Sequence, residues 1–182
     1  ENVIDRIKLF PSKKIIHGVT SPVGGSVIPD LTQLPLFIQM INNLNSPWAS
    51  EHLSFNRACD TTGIFNSGFF LPPLQTYEGV RCAINSIQQM ASRLPVPFAV
   101  ETGVNYLRHR SDDLSDGEFV SMVVEATNCG IVLDLHNLWT NESNGRQTVS
   151  EFLDQIPLDK VWEVHLAGGQ EEDGYWLDAH SG

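Results

Sequence analysis

Short apolar runs ending in a histidine or a carboxylate recur along this chain, with helix-like segments between them. KKIIHG closes on His17, PWASEHLSF holds Glu51 and His52, and FAVETG reaches Glu101. GIVLDLHN carries Asp134, His136 and Asn137, KVWEVHLAGG carries Glu163 and His165, and YWLDAH carries Asp178 and His180. Apolar spacing predicts helices over 3–10, 31–44, 76–94, 116–128 and 148–156. Asp30, Asp116 and Ser150 stand near three of their starts, and Pro35 sits early in the second. Strand followed by helix, repeated with no hairpin signal, predicts parallel strands covered by helices. The polar and Gly-rich stretch 56–73 is expected to be one long loop, of the kind that is often functional.

Composition narrows the function classes. The formal charge is −11, from 22 acidic and 11 basic residues, so a broad electrostatic grip on nucleic acid is not expected. No apolar run reaches the roughly 18 residues of a membrane span. Cys59, Cys82 and Cys129 are widely spaced and form no CxxC, which argues against a disulfide framework and fits a reducing cytoplasm. No GxGxxG, P-loop or GxSxG pattern is present. Nothing marks an interior boundary, so residues 1–182 are expected to form a single domain. The ENVIDRIKLF start and DAHSG end do not resemble natural termini.

The candidate chemistry lies at the strand ends. Five of the six histidines fall at or just after a proposed strand end, His109 being the exception. In parallel sheets the loops at those ends build the active site. The pairs Asp134/His136, Glu163/His165 and Asp178/His180 are each two residues apart, so each is expected to face one side of its strand. That much unpaired polarity is incompatible with an apolar core, and one or more divalent metals would neutralise it. Oxygen and imidazole donors without thiolate suit iron, manganese or zinc. Simpler roles compete: His109 lies between arginines as a surface residue, Glu51 alternates with His52 and suits a salt bridge, and Asn137 suits a turn after its strand.

The strings IHGV (16–19), SEHLSF (50–55), LPP (71–73), VETG (100–103), NCGIVLDLHNLW (128–139), VWEVHLAGG (161–169) and WLDAH (176–180), with EN at 1–2, together resemble one family. It is the family of multinuclear non-haem iron-dependent oxidative enzymes, whose TIM-type (β/α)8 barrel is related to xylose isomerase. The resemblance implies an α/β barrel, incomplete here and covering about strands two to seven. It marks His17, His52, Glu101, Asp134, Asn137, Glu163, His165, Asp178 and His180 as metal ligands. It further implies two or three Fe ions, dioxygen as co-substrate and a cysteine-containing, ribosomally made precursor peptide as substrate. A partner protein that recognises the peptide's leader segment is also implied.

The chain departs from the family pattern at several points. Thr102 and Gly103 follow Glu101 where the family has Asn and Pro; His136 stands in place of an Asn, and Ser181 in place of an Asp. The first strand, most of the second and the last part of the barrel have no counterpart, so a segment of a longer protein or a degenerate member is expected. Two rival readings stay open. One is a divalent-metal sugar isomerase or metal-dependent hydrolase on the same barrel; the other is a non-catalytic binding module derived from one.

Overall fold

The computed structural model describes residues 3–179. Five parallel strands make the central sheet: β1 (Ile16–His17), β2 (Ala49–His52), β5 (Phe98–Glu101), β6 (Gly130–Asp134) and β7 (Val161–His165), in that spatial order. The sheet curls as part of a barrel wall. Every residue of β5 and β6 is buried, as expected when a parallel strand is covered on both faces.

Helices α1 (Val3–Lys8), α2 (Leu34–Leu44), α3 (Tyr77–Ala91), α4 (Asp116–Thr127), α5 (Leu135–Ser143) and α6 (Val149–Gln155) separate the strands. The helices on the outer face start where side chains satisfy their free N–H groups. Thr76 accepts from Gly79 N at α3, while Ser115 with Glu118 and Thr148 with Glu151 form full capping boxes at α4 and α6. Their apolar stripes close one core: Val80, Ile87 and Met90 of α3 meet Phe119, Val123 and Val124 of α4 over Val100, Ile131 and Leu133 of the sheet. Phe119 is 1% exposed, and truncating a side chain so buried typically costs about 3–5 kcal/mol.

The expectation of no hairpin is corrected twice. Residues 56–73 are not a loop; β3 (Phe55–Asp60) and β4 (Gly63–Leu71) pair antiparallel there. Their turn is held by Asp60 Oδ1, which accepts from Thr62 N (2.7 Å) and Oγ1 (2.6 Å), with Gly63 at φ +133°. The proposed sixth parallel strand, 175–180, is likewise replaced over its described residues 175–179. β8 (Gln170–Glu172) and β9 (Tyr175–Leu177) form a separate antiparallel pair across Asp173–Gly174, both at positive φ. Asp-Gly is the favoured two-residue hairpin turn, so that signal stood in the sequence. The third correction concerns 135–137: β6 stops at Asp134, and α5 begins at once, so His136 is helical rather than on a strand.

At the N-terminal side of the sheet, a bulge leaves Trp162 without a register partner between Val161 and Glu163. Its indole lies over Gly130, where a Cβ would meet the ring at 2.2 Å, and packs edge-on against Trp48 with centroids 5.6 Å apart. No helix among the described residues is long and apolar enough to cross a membrane. The three cysteines are free: Cys59 is exposed, Cys82 half-buried and Cys129 buried.

Candidate metal centre

Register brings the site together. His17 pairs with Ser50, His52 with Glu101, and Asp134 with His165, so the last residues of β1, β2, β5, β6 and β7 share one end of the sheet. Glu101 stands at the centre. Its Oε2 lies 3.0 Å from His17 Nε2 and 2.9 Å from His52 Nε2, and its Oε1 lies 2.8 Å from His165 Nδ1. Asp134 Oδ2 is 3.9 Å from the same His165 nitrogen. Two donor triads result, His17–His52–Glu101 and Glu101–Asp134–His165, each with donor atoms within 4.8 Å of one another.

Neighbouring groups fix the directions of these donors. His52 Nδ1 faces two acceptors, Gly18 O and Glu51 Oε1, both at 3.2 Å, so Nδ1 carries the hydrogen. In the neutral ring the Nε2 lone pair therefore points at Glu101. His17 Nδ1 is held by Ser50 Oγ at 2.8 Å. A His52 lone pair and a carboxylate oxygen 2.9 Å apart repel one another unless a proton or a cation lies between them. Asp134 Oδ2 is buried without a hydrogen-bond partner, and Glu101 Oε2 is buried against the two imidazole nitrogens.

The protonation pattern follows from this crowding. Burial works against a charged His52, but its bonds to Glu101 and Glu51 outweigh it and raise the imidazole to about 9. Burial would likewise raise Glu101, yet the bonds from His17 and His52 hold it well below the usual carboxylate range. Asp134 is raised by burial, with Glu101 and Asp178 adding to the effect against the hydrogen bond from Asn137. His165 is raised because Glu101 overcomes its desolvation. Without a metal, protons supply the missing positive charge.

Each residue of the sequence-derived ligand set can now be placed. His17, His52, Glu101, Asp134 and His165 converge. Glu163 joins through His165 Nε2, 3.3 Å from its Oε1. Asn137 and Asp178 line the same cavity as Glu101 and His52, a space of about 440 Å³. Asn137 donates from Nδ2 to Thr102 O at 3.0 Å, leaving its buried Oδ1 without a partner. His180 lies outside the described residues, as does the EN pair at 1–2. His136 does not join the centre: it is buried in α5 with Nε2 3.4 Å from Thr140 Oγ1 and 3.7 Å from Asp178 Oδ1.

Two supporting residues, Ser50 and Phe70, were not singled out by the sequence reading, while Glu51 takes the ion-pair role expected of it. Ser50 sits two positions before His52 and shares its face, a signal that strand periodicity could have supplied. Glu51 points the other way, as alternation requires. Its Oε2 accepts from Thr20 N and Ser21 N at 3.2 and 2.9 Å while Oε1 braces His52. Residue 18 must be small here, because a Cβ would approach Glu51 Oε2 to 2.6 Å. Thr102 Oγ1 accepts from Asp134 N at 3.0 Å, so the threonine that departs from the family pattern has a structural role. Phe70, from the hairpin, packs on His52 with ring centroids 4.3 Å apart.

The loop 104–114 forms another wall of the cavity and is tied down by Arg146. This side chain is 4% exposed and holds Asp116 bidentately, Nε to Oδ2 at 2.9 Å and Nη2 to Oδ1 at 2.6 Å. It also donates to Gln75 Oε1 at 2.6 Å and to the carbonyl of Leu107.

With this geometry in view, the comparisons with known proteins are decisive on family. The profile of the RiPP precursor modification enzymes MbnB/TglH/ChrH matches residues 10–182. The chain belongs to this family. A UPF0276 protein of Streptomyces avermitilis is 31% identical over 168 residues, covering 91% of this chain and 34% of its own length. Another from Paraburkholderia phytofirmans is 32% identical over 157 residues, covering 86% of this chain and 50% of its own. The chain thus spans half or less of these two relatives. Among solved structures, the 3-keto-D-glucoside 4-epimerase of E. coli superposes with a TM-score of 0.55 at 14% identity, over 91% of this chain and 64% of that one. That likeness supports a TIM-barrel-like fold and says nothing about substrate.

Proposed function

We propose that this chain carries the centre of a multinuclear iron-dependent oxidase that uses dioxygen to modify a cysteine in a ribosomally made precursor peptide. One observation carries the reading: a single buried carboxylate, Glu101, is shared by two His/carboxylate triads, and its Oε2 sits within 3.0 Å of two imidazole nitrogens. The donor set is imidazole and carboxylate with no thiolate, which suits Fe, with Mn or Zn as alternatives. His17, His52 and Glu101 would hold one ion, and Glu101, Asp134 and His165 a second. Glu163, Asn137, Asp178 and His180 complete the proposed set and leave room for a third. Bound iron supplies the redox chemistry with dioxygen.

The protein's own share is orientation and shielding. Ser50, Gly18 and Glu51 fix the imidazoles so that their free nitrogens face inward. The Asn137 N–H does the same for Asp134 at 2.8 Å. Phe70 covers His52 and keeps water from that side. The cavity beside Glu101 receives the substrate thiol, whose negative charge bound metal would have to offset against the surrounding carboxylates. A leader-recognising partner protein is part of the proposal.

The test is metal analysis joined to peptide chemistry. Protein reconstituted anaerobically with ferrous iron should hold two or three equivalents and, with its partner and a Cys-bearing precursor, consume oxygen and change the peptide's mass. Glu163→Ala and His165→Ala should each lose iron, and His109→Ala should keep it. Equal iron in all three variants, or retention of zinc alone with hydrolytic activity, would sink the reading.

A further inference from the structure

The cavity that opens from the candidate centre is built of two unlike parts. Its floor is polar and acidic, made by Glu101, Asp178, His52 and Asn137. Its walls are apolar: Phe69, Phe70 and Leu71 from the end of β4, faced by Val104, Tyr106 and Leu107 from the loop after β5. Among the described residues, no lysine or arginine lines it. The wall residues are not consumed by the fold. Phe69 is 64% exposed, Leu107 61% and Tyr106 45%.

The walls are nonetheless held in place. Tyr106 Oη accepts from the backbone N–H of Asp178 at 3.0 Å, which ties one wall to the floor. Arg146 clamps the Leu107 carbonyl. Phe70 rests on His52, which ties the other wall to the centre. At about 440 Å³ the space exceeds what one thiol needs and matches a thiol with one large neighbouring side chain.

Resting on the peptide-modifying reading, we propose that this cleft selects a precursor whose reacting cysteine adjoins a large uncharged apolar or aromatic residue, gripped between Phe69 and Tyr106–Leu107. Chemistry excludes the other neighbours. An acidic residue would face Glu101 and Asp178, and a lysine would bury its ammonium between aromatic and aliphatic walls with its charge directed at groups that also serve the metals. An aromatic or leucine side chain buries on both sides and meets no unpaired polar group. The thiol is thereby placed over the floor, next to Glu101.

The experiment measures binding as well as turnover. Synthetic ten-residue peptides with one cysteine, differing only in whether Phe, Leu, Ala, Asp or Lys follows it, are titrated against the iron-loaded protein under anaerobic conditions. Phe and Leu peptides should bind about 10- to 100-fold more tightly than Ala, the range expected for burying such a side chain, and Asp should bind worst. Phe69→Ala, at an exposed wall position, should shrink the preference to a few-fold. Phe65→Ala, equally exposed on the same hairpin but outside the cleft, should leave it intact. Equal binding of all five peptides, or a preference untouched by Phe69→Ala, overturns the cleft inference and leaves the peptide reading standing. If no peptide binds or changes mass whatever its neighbour, the peptide reading itself falls, and the inference with it.

Discussion

Replacing Arg146 by Met removes the cation from a nearly closed polar cluster while keeping a long apolar stem. Arg146 and Asp116 are 4% and 8% exposed, so the lost partner leaves a buried carboxylate. Breaking such a pair typically costs about 3–5 kcal/mol. The lower end is expected here, because Asp116 is the first residue of α4 and keeps both the helix N-terminal field and a hydrogen bond from Gln75 Nε2. About 3 kcal/mol in a chain of this size corresponds to a fall in Tm of roughly 6–12 °C. Urea denaturation of Arg146→Met, Asp116→Ala and the double variant gives the cycle. The double variant should cost well under the sum of the singles, with a coupling of about 1.5–3 kcal/mol. A single-variant cost below about 1 kcal/mol, or strict additivity, would refute the claim that this pair anchors the 104–114 loop.

Three further outcomes are expected. Glu101→Gln preserves shape but removes the charge shared by both triads, so iron affinity measured against a competing chelator should drop by more than about 100-fold, beyond the loss usual for a supporting residue; a change under tenfold contradicts the shared-carboxylate geometry. His52 is raised from 6.5 to about 9, so its contribution to metal-free stability is complete below about pH 6.5 and lost as pH rises through about 9. Denaturation midpoints in chelator should therefore fall across that window, whereas iron-loaded protein, with His52 deprotonated on the metal, should not share the fall. Ser50→Ala frees the Nδ1 of His17, and iron content should decline by about 10- to 100-fold in affinity with the far-ultraviolet spectrum unchanged; unaltered affinity would mean that the hydroxyl does not orient the ring.

The sequence disclosed what depends on local periodicity. The helices α3, α4 and α6 were legible from their apolar spacing, but not their caps: Asp116 and Ser150 marked two starts, whereas Ser115 and Thr148 cap them and Thr76 caps α3. The strand ends were legible because a charged or imidazole side chain terminates each apolar run. Lost from view were features set by a register or a turn. The β3–β4 hairpin turns through Asp60-Thr61-Thr62-Gly63, which holds neither of the two-residue pairs that announce a tight turn, and its strand composition resembles that of a loop. Asp173-Gly174 does announce one, but the strand–helix rhythm before it favoured a sixth parallel strand. His136 was misplaced because two-residue spacing after Asp134 reads equally well as strand or as the first turn of a helix. Only the capping of Asn137 N by Asp134 decides between them.

That same cap divides one carboxylate between two tasks. Asp134 Oδ1 is committed to the start of α5, which leaves only Oδ2 facing His165. Turning the group so that both oxygens face inward would strip the helix of its cap, and helices losing such a cap fray by an amount near 1 kcal/mol. Occupancy at the strand ends and order in the first turn of α5 are thereby coupled variables. The amide of Asn137 becomes a built-in gauge, since its hydrogen-exchange rate reports on the centre from the backbone side without any probe entering the cavity.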